Sequence, residues 1–404
     1  MAVRVLFTTR GSAGHIGPLV PLARACERVG HEVKIAAQER QAVSVERTGL
    51  AYAPVGDPPD HEWMPLMAQL AQADFATANE LMVGEFFARL DTRAALPGLL
   101  SVVKSWQPDI LVRETCEFAS TVVAELQGVP LARVGIGLAS MEEASAGLAA
   151  PRVNDFRLEL GLPADPDGAR LREAPYFTAV PEPLEDPSAS QQPVTRRFRP
   201  DVARVTEPLP DWWPGNDDPL VYLTFGSVTA GAHLPFFPHL YKACIEALAP
   251  LPLRVLVTLG EQRDLGELGE LPRNVHVETW VNQDAVASQA VAMVCHGGFG
   301  STLGALAHAL PLVVLPLFSI DQVANADAVA RAGAGLALKG DQQSQRGLDL
   351  PAPHLLEELA GAVERVVGDV AYAREAGQIA QAMEALPGID AAVEELAAIA
   401  GARG

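Results

Sequence analysis

The sequence predicts an α/β protein with two doubly wound, Rossmann-like domains in tandem, each built on a parallel sheet. Short, almost continuously apolar segments alternate with helical patterns, which is typical of parallel strands that are buried on both faces. This alternation occurs twice and is interrupted at about 206–217, where three prolines disfavour both helix and strand. A length of 404 residues agrees with two to three domains that each have their own core.

The apolar segments are the candidate strands. In the first half they cover 3–9, 31–37, 109–113 and 131–137, with helical patterns at 16–29 and 117–126. In the second half they cover 220–225, 253–259, 275–279, 291–295 and 312–315, and the tail 351–400 is helical. Residues 60–105 are helical and rich in bulky apolar side chains, so we interpret them as an insertion above the first sheet. The stretch from 196 to 216 breaks the pattern, and we interpret it as neither helix nor strand.

Acidic residues outnumber basic ones. The 50 Asp and Glu against 30 Lys and Arg give a net charge of −20, which disfavours nucleic acids and anionic membranes as partners. The sequence shows neither a signal peptide nor an apolar stretch approaching the roughly 20 residues of a membrane span. The four cysteines have no disulfide or zinc spacing. We therefore expect a cytoplasmic protein with reduced, buried thiols.

The first candidate site is a glycine-rich turn that follows the first strand. His15 lies in this turn near a helix start, where the positive end of the helix keeps an imidazole neutral and able to accept a proton. Glu114 follows the segment 109–113 and can orient His15 if the two strands are neighbours. Glu117 is the alternative partner. A histidine that only hydrogen-bonds its own turn is the simpler interpretation.

A second glycine-rich turn, His296 to Thr302, follows the segment 291–295. Backbone N–H groups, two hydroxyls and a histidine at a helix start would bind a phosphate group. The alternative is an ordinary strand-to-helix turn with Ser301 as the N-cap. Trp280 ends another strand and can stack on a flat ring. Asp321 and Gln322 suit either the hydroxyls of a sugar or a helix start.

In this order and at this spacing, the motifs from Trp280 to Gln322 resemble the nucleotide-sugar-binding half of family-1 glycosyltransferases, which have the GT-B architecture. The first half adds Gly14-His15-x-x-Pro18 and Pro108-Asp109 leading to Glu114. The resemblance is to actinobacterial enzymes that glycosylate secondary metabolites, including antibiotics. It implies two domains that face a central cleft. Residues 1–205 would bind the acceptor, 206–217 would link the domains, 218–380 would bind the nucleotide sugar, and a C-terminal helix in 381–404 would pack back on the first domain.

The resemblance also implies roles for individual residues. His15 would be the general base and Glu114 would orient it. The other implied contacts are to the nucleotide base (Trp280, Val281 and Gln283), the diphosphate (Ser227, His296, Gly298, Gly300, Ser301 and Thr302) and the donor sugar (Asp321 and Gln322). Four apolar residues of the insertion are candidates for the acceptor pocket, although they also suit a helix core: Trp63, Met67, Phe75 and Phe86.

The implied reaction is inverting transfer of a hexosyl group, without a metal or other cofactor, to a hydroxyl of a hydrophobic natural product. The donor is a dTDP-sugar or a UDP-sugar. Gly304 stands where plant relatives carry a glutamate for the ribose hydroxyls, which favours dTDP. Asn282 replaces a usual proline and is expected to loosen the turn after Trp280. The segment from Pro316 to Asp321 is one residue longer than in the family, which leaves the sugar contacts open.

Two other classes remain as alternatives. A nucleotide-sugar 2-epimerase shares the architecture but would not need an acceptor pocket. A non-catalytic auxiliary protein would bind a small hydrophobic molecule without needing His15 or the second glycine-rich turn. The sequence leaves open whether the protein forms a homodimer.

Overall fold

Two parallel sheets, one on each side of the proline-containing segment 208–217, form the framework of the protein. The computed structural model describes residues 2–187, 194–199, 208–231, 234–260, 263–340 and 348–402. Helices cover both faces of the two sheets, so the predicted α/β class with two doubly wound sheets is confirmed. The predicted limit between 205 and 206 lies outside the described residues.

The first sheet has seven strands. They are β1 Arg4–Thr8, β2 Glu32–Gln38, β3 Ala51–Val55, β4 Ile110–Glu114, β5 Leu131–Val134, β6 Tyr176–Thr178 and β7 Thr195–Arg197. Their order in the sheet is β3-β2-β1-β4-β5-β6-β7, and all pairs are parallel. The chain therefore winds outward in both directions from the pair β1 and β4.

The helices of the first half begin with a nearly continuous helical run that follows β1. They are α1 Ala13–Ile16, α2 Val20–Arg28, α3 Ala42–Glu46, α4 Asp60–Gln72, α5 Phe75–Glu80, α6 Thr92–Trp106, α7 Ala119–Gln127, α8 Ala139–Glu159 and α9 Arg170–Glu173. A π-helical segment, Leu81–Asp91, joins α5 to α6. Shorter 3₁₀ turns cover Gly17–Leu19, Glu39–Gln41 and Glu182–Leu184.

The helical character of 60–105 is confirmed, but its last part is not an insertion. Helix α6 packs against β3 and α7 and connects β3 to β4, as in any doubly wound sheet. Its apolar side chains join the core below the sheet, as do Val83 and Ala88 of the π-helical segment. Residues of α4 and α5, with Phe86 and Leu90 of the π-helical segment, form a smaller apolar cluster. The interpretation as an insertion therefore applies only to residues before α6.

The second sheet has six parallel strands. They are β8 Leu220–Thr224, β9 Arg254–Thr258, β10 Val275–Glu278, β11 Ala292–Cys295, β12 Leu312–Val314 and β13 Gly335–Ala337. Their order is β10-β9-β8-β11-β12-β13. The helices are α10 His239–Leu248, α11 Gln283–Ala287, α12 Phe299–Ala307, α13 Ile320–Arg331, α14 Pro353–Gly368, α15 Val370–Glu384 and α16 Ile389–Gly401, with a 3₁₀ turn at Leu265–Leu268.

The last helix returns to the first half of the chain. Apolar residues of α16 pack in the same core as β1 and α2. Arg28 of α2 also forms an ion pair with Asp390 at 2.5 Å, between two exposed side chains, so this pair adds little beyond the apolar contact. All four cysteines are free and buried. None of the helices in the described ranges is both long and apolar enough to cross a membrane.

Four short strands were not predicted from the sequence. They are β3, β6, β7 and β13. The interpretation of residues from 196 onward as neither helix nor strand was wrong for Arg196 and Arg197, which belong to β7. This strand lies at the edge of the first sheet, where polar side chains are normal and no apolar run marks the strand.

Candidate active site

His15 and Glu114 meet at the topological switch point of the first sheet. Strands β1 and β4 are neighbours, with Thr8 opposite Arg113, and the chain leaves them in opposite directions. Such points form crevices at the carboxyl ends of the strands, where ligands bind in open α/β sheets. Helix α1 follows β1 and carries His15, while Glu114 is the last residue of β4. The His15 Nδ1 and Glu114 Oε1 atoms are 3.0 Å apart.

The environment of Glu114 keeps its carboxylate ionised. Burial alone would raise its pKa, but His15 and two backbone N–H groups more than offset this and lower the pKa below the ordinary value. The backbone N–H groups are those of Cys116, at 2.5 Å, and Arg10, at 3.2 Å. An ionised carboxylate can only accept hydrogen bonds, so Nδ1 of His15 carries a proton. In the neutral ring Nε2 is then the basic nitrogen.

Glu117, the alternative partner of His15, forms its hydrogen bonds with other residues. It accepts hydrogen bonds from the Thr8 hydroxyl at 2.9 Å and from the Ser120 backbone N–H at 3.2 Å. Burial raises its pKa above the ordinary value, which favours the neutral acid. Of the two acids that the sequence offered, the structure therefore places Glu114 against His15.

Three residues beside His15 were missed by the sequence analysis. The Phe87 ring contacts the His15 ring edge-on at 5.9 Å between centroids, and the Arg10 guanidinium lies 4.0 Å from the centre of Phe87. Arg10 is paired with Asp91 at 2.9 Å. Phe87 and Asp91 lie in the π-helical segment, which has no motif. Only the structure shows that this segment reaches the carboxyl end of β1.

The four residues predicted to line an acceptor pocket lie in α4, α5 and the π-helical segment. Phe75 and Phe86 are buried, and Trp63 and Met67 are partly buried against the same small apolar cluster. The rings of Trp63 and Phe86 are 6.4 Å apart. Trp63, Met67 and Phe86 are therefore grouped together by the fold, and the contact of all four residues with an acceptor stays a prediction.

The second glycine-rich turn occupies the corresponding switch point of the second sheet, between β8 and β11. His296 follows β11, and its ring packs on Gly226 in the turn after β8, where Ser227 is exposed. Helix α12 begins at Phe299 with Gly298 as its N-cap. The alternative with Ser301 as the N-cap is therefore wrong. Gly300 and Ser301 lie in the first turn of α12, where backbone N–H groups have no partner within the helix. The Thr302 N–H already donates to the Gly298 backbone oxygen at 3.0 Å.

His296 is neutral and has one unpaired nitrogen. Burial lowers the pKa of His296 to about 4, because desolvation disfavours the imidazolium form. Its buried Nδ1 has no hydrogen-bond partner in the described part of the chain. An unpaired buried polar atom beside a helix start indicates a ligand that supplies the missing partner. Gly297 is required here, because its φ is +85° and a Cβ would lie 2.6 Å from the backbone oxygen of Gln322.

Trp280 lies just beyond β10 with 72% of its surface exposed, as a stacking platform requires. The expectation that Asn282 loosens the following turn was wrong. Its side chain caps α11 by accepting from the backbone N–H groups of Asp284 and Ala285, at 3.0 and 3.4 Å. Gln283 then donates to the backbone oxygen of Gly300 at 3.4 Å. The turn after Trp280 is thus connected directly to the start of α12.

Asp321 and Gln322 lie in the first turn of α13. The Gln322 Oε1 atom accepts from the backbone N–H groups of Leu317 and Phe318 at 2.8 and 3.2 Å, which closes the longer loop before the helix. Burial raises the pKa of Asp321, and the Ser319 hydroxyl and His15 partly oppose this shift. The electrostatic effect of His15 on Asp321 indicates that these two side chains, one from each half of the chain, lie near each other.

Among the described residues, only one group of side chains has the ligand chemistry of a metal site. It contains His15, Glu114 and Cys116, whose ligand atoms lie within 4.8 Å of one another. Burial raises the pKa of the Cys116 thiol well above its usual value, so the thiol is protonated. Both oxygens of Glu114 already accept hydrogen bonds. The group therefore acts as a hydrogen-bonded acid–base pair beside a neutral thiol.

Comparison with known proteins identifies the class first. The fold matches the crystal structure of the glycosyltransferase SnogD from Streptomyces nogalater, with a TM-score of 0.75 and 26% identity. The match covers 99% of this chain and 100% of that one. The two parallel-sheet domains of this chain therefore have the GT-B architecture of that glycosyltransferase.

Sequence relatives then give the family. Residues 24–159 and 242–399 match the N-terminal and C-terminal domains described as erythromycin biosynthesis protein CIII-like. The aclacinomycin-T 2-deoxy-L-fucose transferase of Streptomyces galilaeus is 30% identical, in an alignment that covers 88% of this chain and 89% of the relative. The TDP-daunosamine transferase of Streptomyces peucetius is 26% identical, in an alignment that covers 83% of this chain and 85% of the relative. The chain belongs to the family-1 glycosyltransferases of actinobacterial secondary metabolism.

Proposed function

We propose that this enzyme transfers a deoxysugar from a dTDP-sugar to a hydroxyl of a hydrophobic natural product, with inversion at the anomeric carbon. The observation that supports the proposal most strongly is the hydrogen-bonded pair of His15 and the ionised Glu114 at the switch point of the first sheet. A neutral histidine with a free Nε2 is suited to accept the proton of the attacking hydroxyl. The names of the relatives, among them a 2-deoxy-L-fucose transferase, support a deoxysugar and a natural-product acceptor.

The reaction is a single displacement. The acceptor hydroxyl gives its proton to Nε2 of His15 as its oxygen forms a bond to the anomeric carbon of the donor. The bond between that carbon and the diphosphate oxygen breaks, and the electron pair leaves with the dTDP. Glu114 stabilises the imidazolium that forms, and the proton is later released to solvent. One displacement at one carbon inverts its configuration.

The start of α12 stabilises the leaving diphosphate. Its unpaired backbone N–H groups and the positive end of the helix favour negative charge, and such preorganised donors are usually a large part of catalysis. His296 is neutral, so it contributes a hydrogen bond rather than a charge. Because these groups can neutralise the leaving dTDP, the proposal includes no resident metal ion. A chain with net charge −20 thus binds a compact anion through local dipoles instead of a basic surface.

The proposed preference for dTDP rests on position 304. A Cβ atom at Gly304 would lie 2.4 Å from the Gln283 Nε2 atom, so Gln283 occupies the space that a longer side chain at 304 would need. No acid is then present at 304 to bind a ribose 2′-hydroxyl. The 2′-hydroxyl of UDP therefore makes no hydrogen bond at this position that dTDP would lack. The TDP-daunosamine transferase among the relatives supports the same donor class.

A transfer assay tests the proposed function. The purified protein is incubated with dTDP- and UDP-sugars and with macrolide and aromatic polyketide acceptors, and products are measured by mass spectrometry. We expect transfer from at least one dTDP-deoxysugar, slower transfer from the matched UDP-sugar, and unchanged rates in excess EDTA. A rate that falls in EDTA and returns with Mg²⁺ would contradict the metal-independent step. UDP-sugars that react far faster than every dTDP-sugar would contradict the donor.

The same assay separates the alternatives. A 2-epimerase would change the donor sugar without any acceptor, whereas an auxiliary protein would leave both donor and acceptor unchanged. Isothermal titration with dTDP provides the control for an intact donor site, because it requires neither an acceptor nor turnover.

A further inference from the structure

A side chain of the acceptor half reaches the helix that carries the proposed donor-sugar residues. Asn79 lies in α5 and is 8% exposed. Its Oδ1 atom accepts a hydrogen bond from the backbone N–H of Ile320 at 3.0 Å, and its Nδ2 atom donates to the backbone oxygen of Phe75 at 2.7 Å. One amide thus anchors itself in α5 and contacts a residue 241 positions later in the chain.

Ile320 is the first residue of α13, where backbone N–H groups have no partner within the helix. The preceding residue, Ser319, makes no capping bond, because its hydroxyl donates to the Asp321 carboxylate instead. Asn79 therefore satisfies one of the backbone N–H groups that have no partner within the helix. The residue that follows Ile320 is Asp321, so the bond lies next to the proposed contact with the sugar.

The opposite end of α13 is also held by the first half of the chain. Arg331, the last residue of the helix, donates from Nη2 to the backbone oxygen of Leu184 at 3.0 Å. Helix α13 is thus fixed at both ends to segments that precede the linker. The contact at Leu184 lies outside the helices that carry the candidate acceptor residues, whereas the contact at Asn79 lies within them.

We propose that Asn79 is a positioning residue that couples the acceptor-side helices to the donor-sugar site. It holds the start of α13, and with it Asp321, at the distance from His15 that transfer requires. Movement of α5 when an acceptor binds is thereby transmitted to the donor sugar. This inference rests on the proposed function, because it assigns Asp321 to the donor sugar.

A double-mutant cycle tests the coupling. Asn79→Ala removes the acceptor of the bond, and Ile320→Pro removes the donor N–H. Proline is well tolerated at the first position of a helix, and Ser319 already has the extended backbone, φ −134° and ψ 150°, that a residue before proline prefers. The Ile320 side chain is 42% exposed, so its replacement costs little packing.

Each single variant is expected to lower kcat/KM for the dTDP-sugar by about two- to tenfold, the effect of one lost hydrogen bond. The kcat/KM of the double variant is expected to be no lower than that of the less active single variant, because both changes remove the same bond. The Kd for dTDP should stay at the wild-type value, since the proposed nucleotide contacts lie at Trp280 and the turn after β11. Thr77→Ala in the same helix is the matched control, because its hydrogen bonds stay within the start of α5.

Other results would overturn the proposal. Single variants with wild-type kcat/KM would show that the bond does not position the donor sugar. Effects that multiply in the double variant would show two independent defects instead of one shared bond. Equal losses in dTDP affinity and in turnover would indicate general structural damage. Wild-type protein that binds dTDP but transfers no sugar would instead contradict the proposed function, which is a distinguishable outcome.

Discussion

His15→Ala is expected to lower kcat by about 10²–10⁴-fold, the usual contribution of a general base. The variant loses the imidazole that contacts Glu114, and water in the resulting space is a much weaker proton acceptor. Affinity for dTDP should not change, because His296 and the start of α12 lie in the other sheet domain. Steady-state kinetics with a dTDP-sugar, together with calorimetric titration of dTDP, measures both quantities.

Phe87→Leu is a useful comparison for His15→Ala. It removes the edge contact of Phe87 with the imidazole but leaves the hydrogen bond between His15 and Glu114 in place. A much smaller loss of kcat in Phe87→Leu would show that the loss in His15→Ala comes from proton transfer more than from packing. Near-normal turnover of His15→Ala would remove His15 from the role of base.

The second large effect is expected for Glu114→Gln. Glutamine has the same shape but no charge, and its amide can present an N–H group to Nδ1 of His15. The ring would then carry its proton on Nε2, which is the wrong tautomer for a base. We expect kcat to fall by about 10²-fold or more, measured by the same assay under saturating donor and acceptor.

Glu117→Gln provides the matched control. Glu117 bonds Thr8 and Ser120 and does not contact His15, so its replacement by glutamine should change turnover little. An active Glu114→Gln variant beside an inactive Glu117→Gln variant would show that the assignment of the partner is wrong. Thermal unfolding of both variants identifies any loss that comes from stability alone.

The sequence was sufficient to predict strands and site residues where one physical rule dominates. Buried parallel strands must be apolar along their whole length, so β1, β4, β8 and β11 could be recognised, and the residues after them became the candidates for the site. The approach of Glu114 to His15 followed from the assumption that their strands are neighbours, which the sheet order confirms.

The elements and site residues that the sequence did not predict depend on contacts between distant segments. Edge strand β7 is polar and gives no apolar signal, and α6 covers the sheet with a pattern like that of the helices before it. Asn282 departs from the family pattern, yet its capping bonds replace what proline would do. Arg10, Asn79 and Phe87 have no motif, and their importance comes only from where the folded chain places them.

The anomeric configuration of the product tests the proposed mechanism most directly. The enzyme is given a dTDP-sugar of known configuration and an acceptor that it glycosylates, and the coupling constant of the anomeric proton in the product is measured by NMR. Direct displacement with His15 as the base predicts the inverted configuration. A product that retains the donor configuration would require a second displacement, and would contradict the single step assigned to His15 and Glu114.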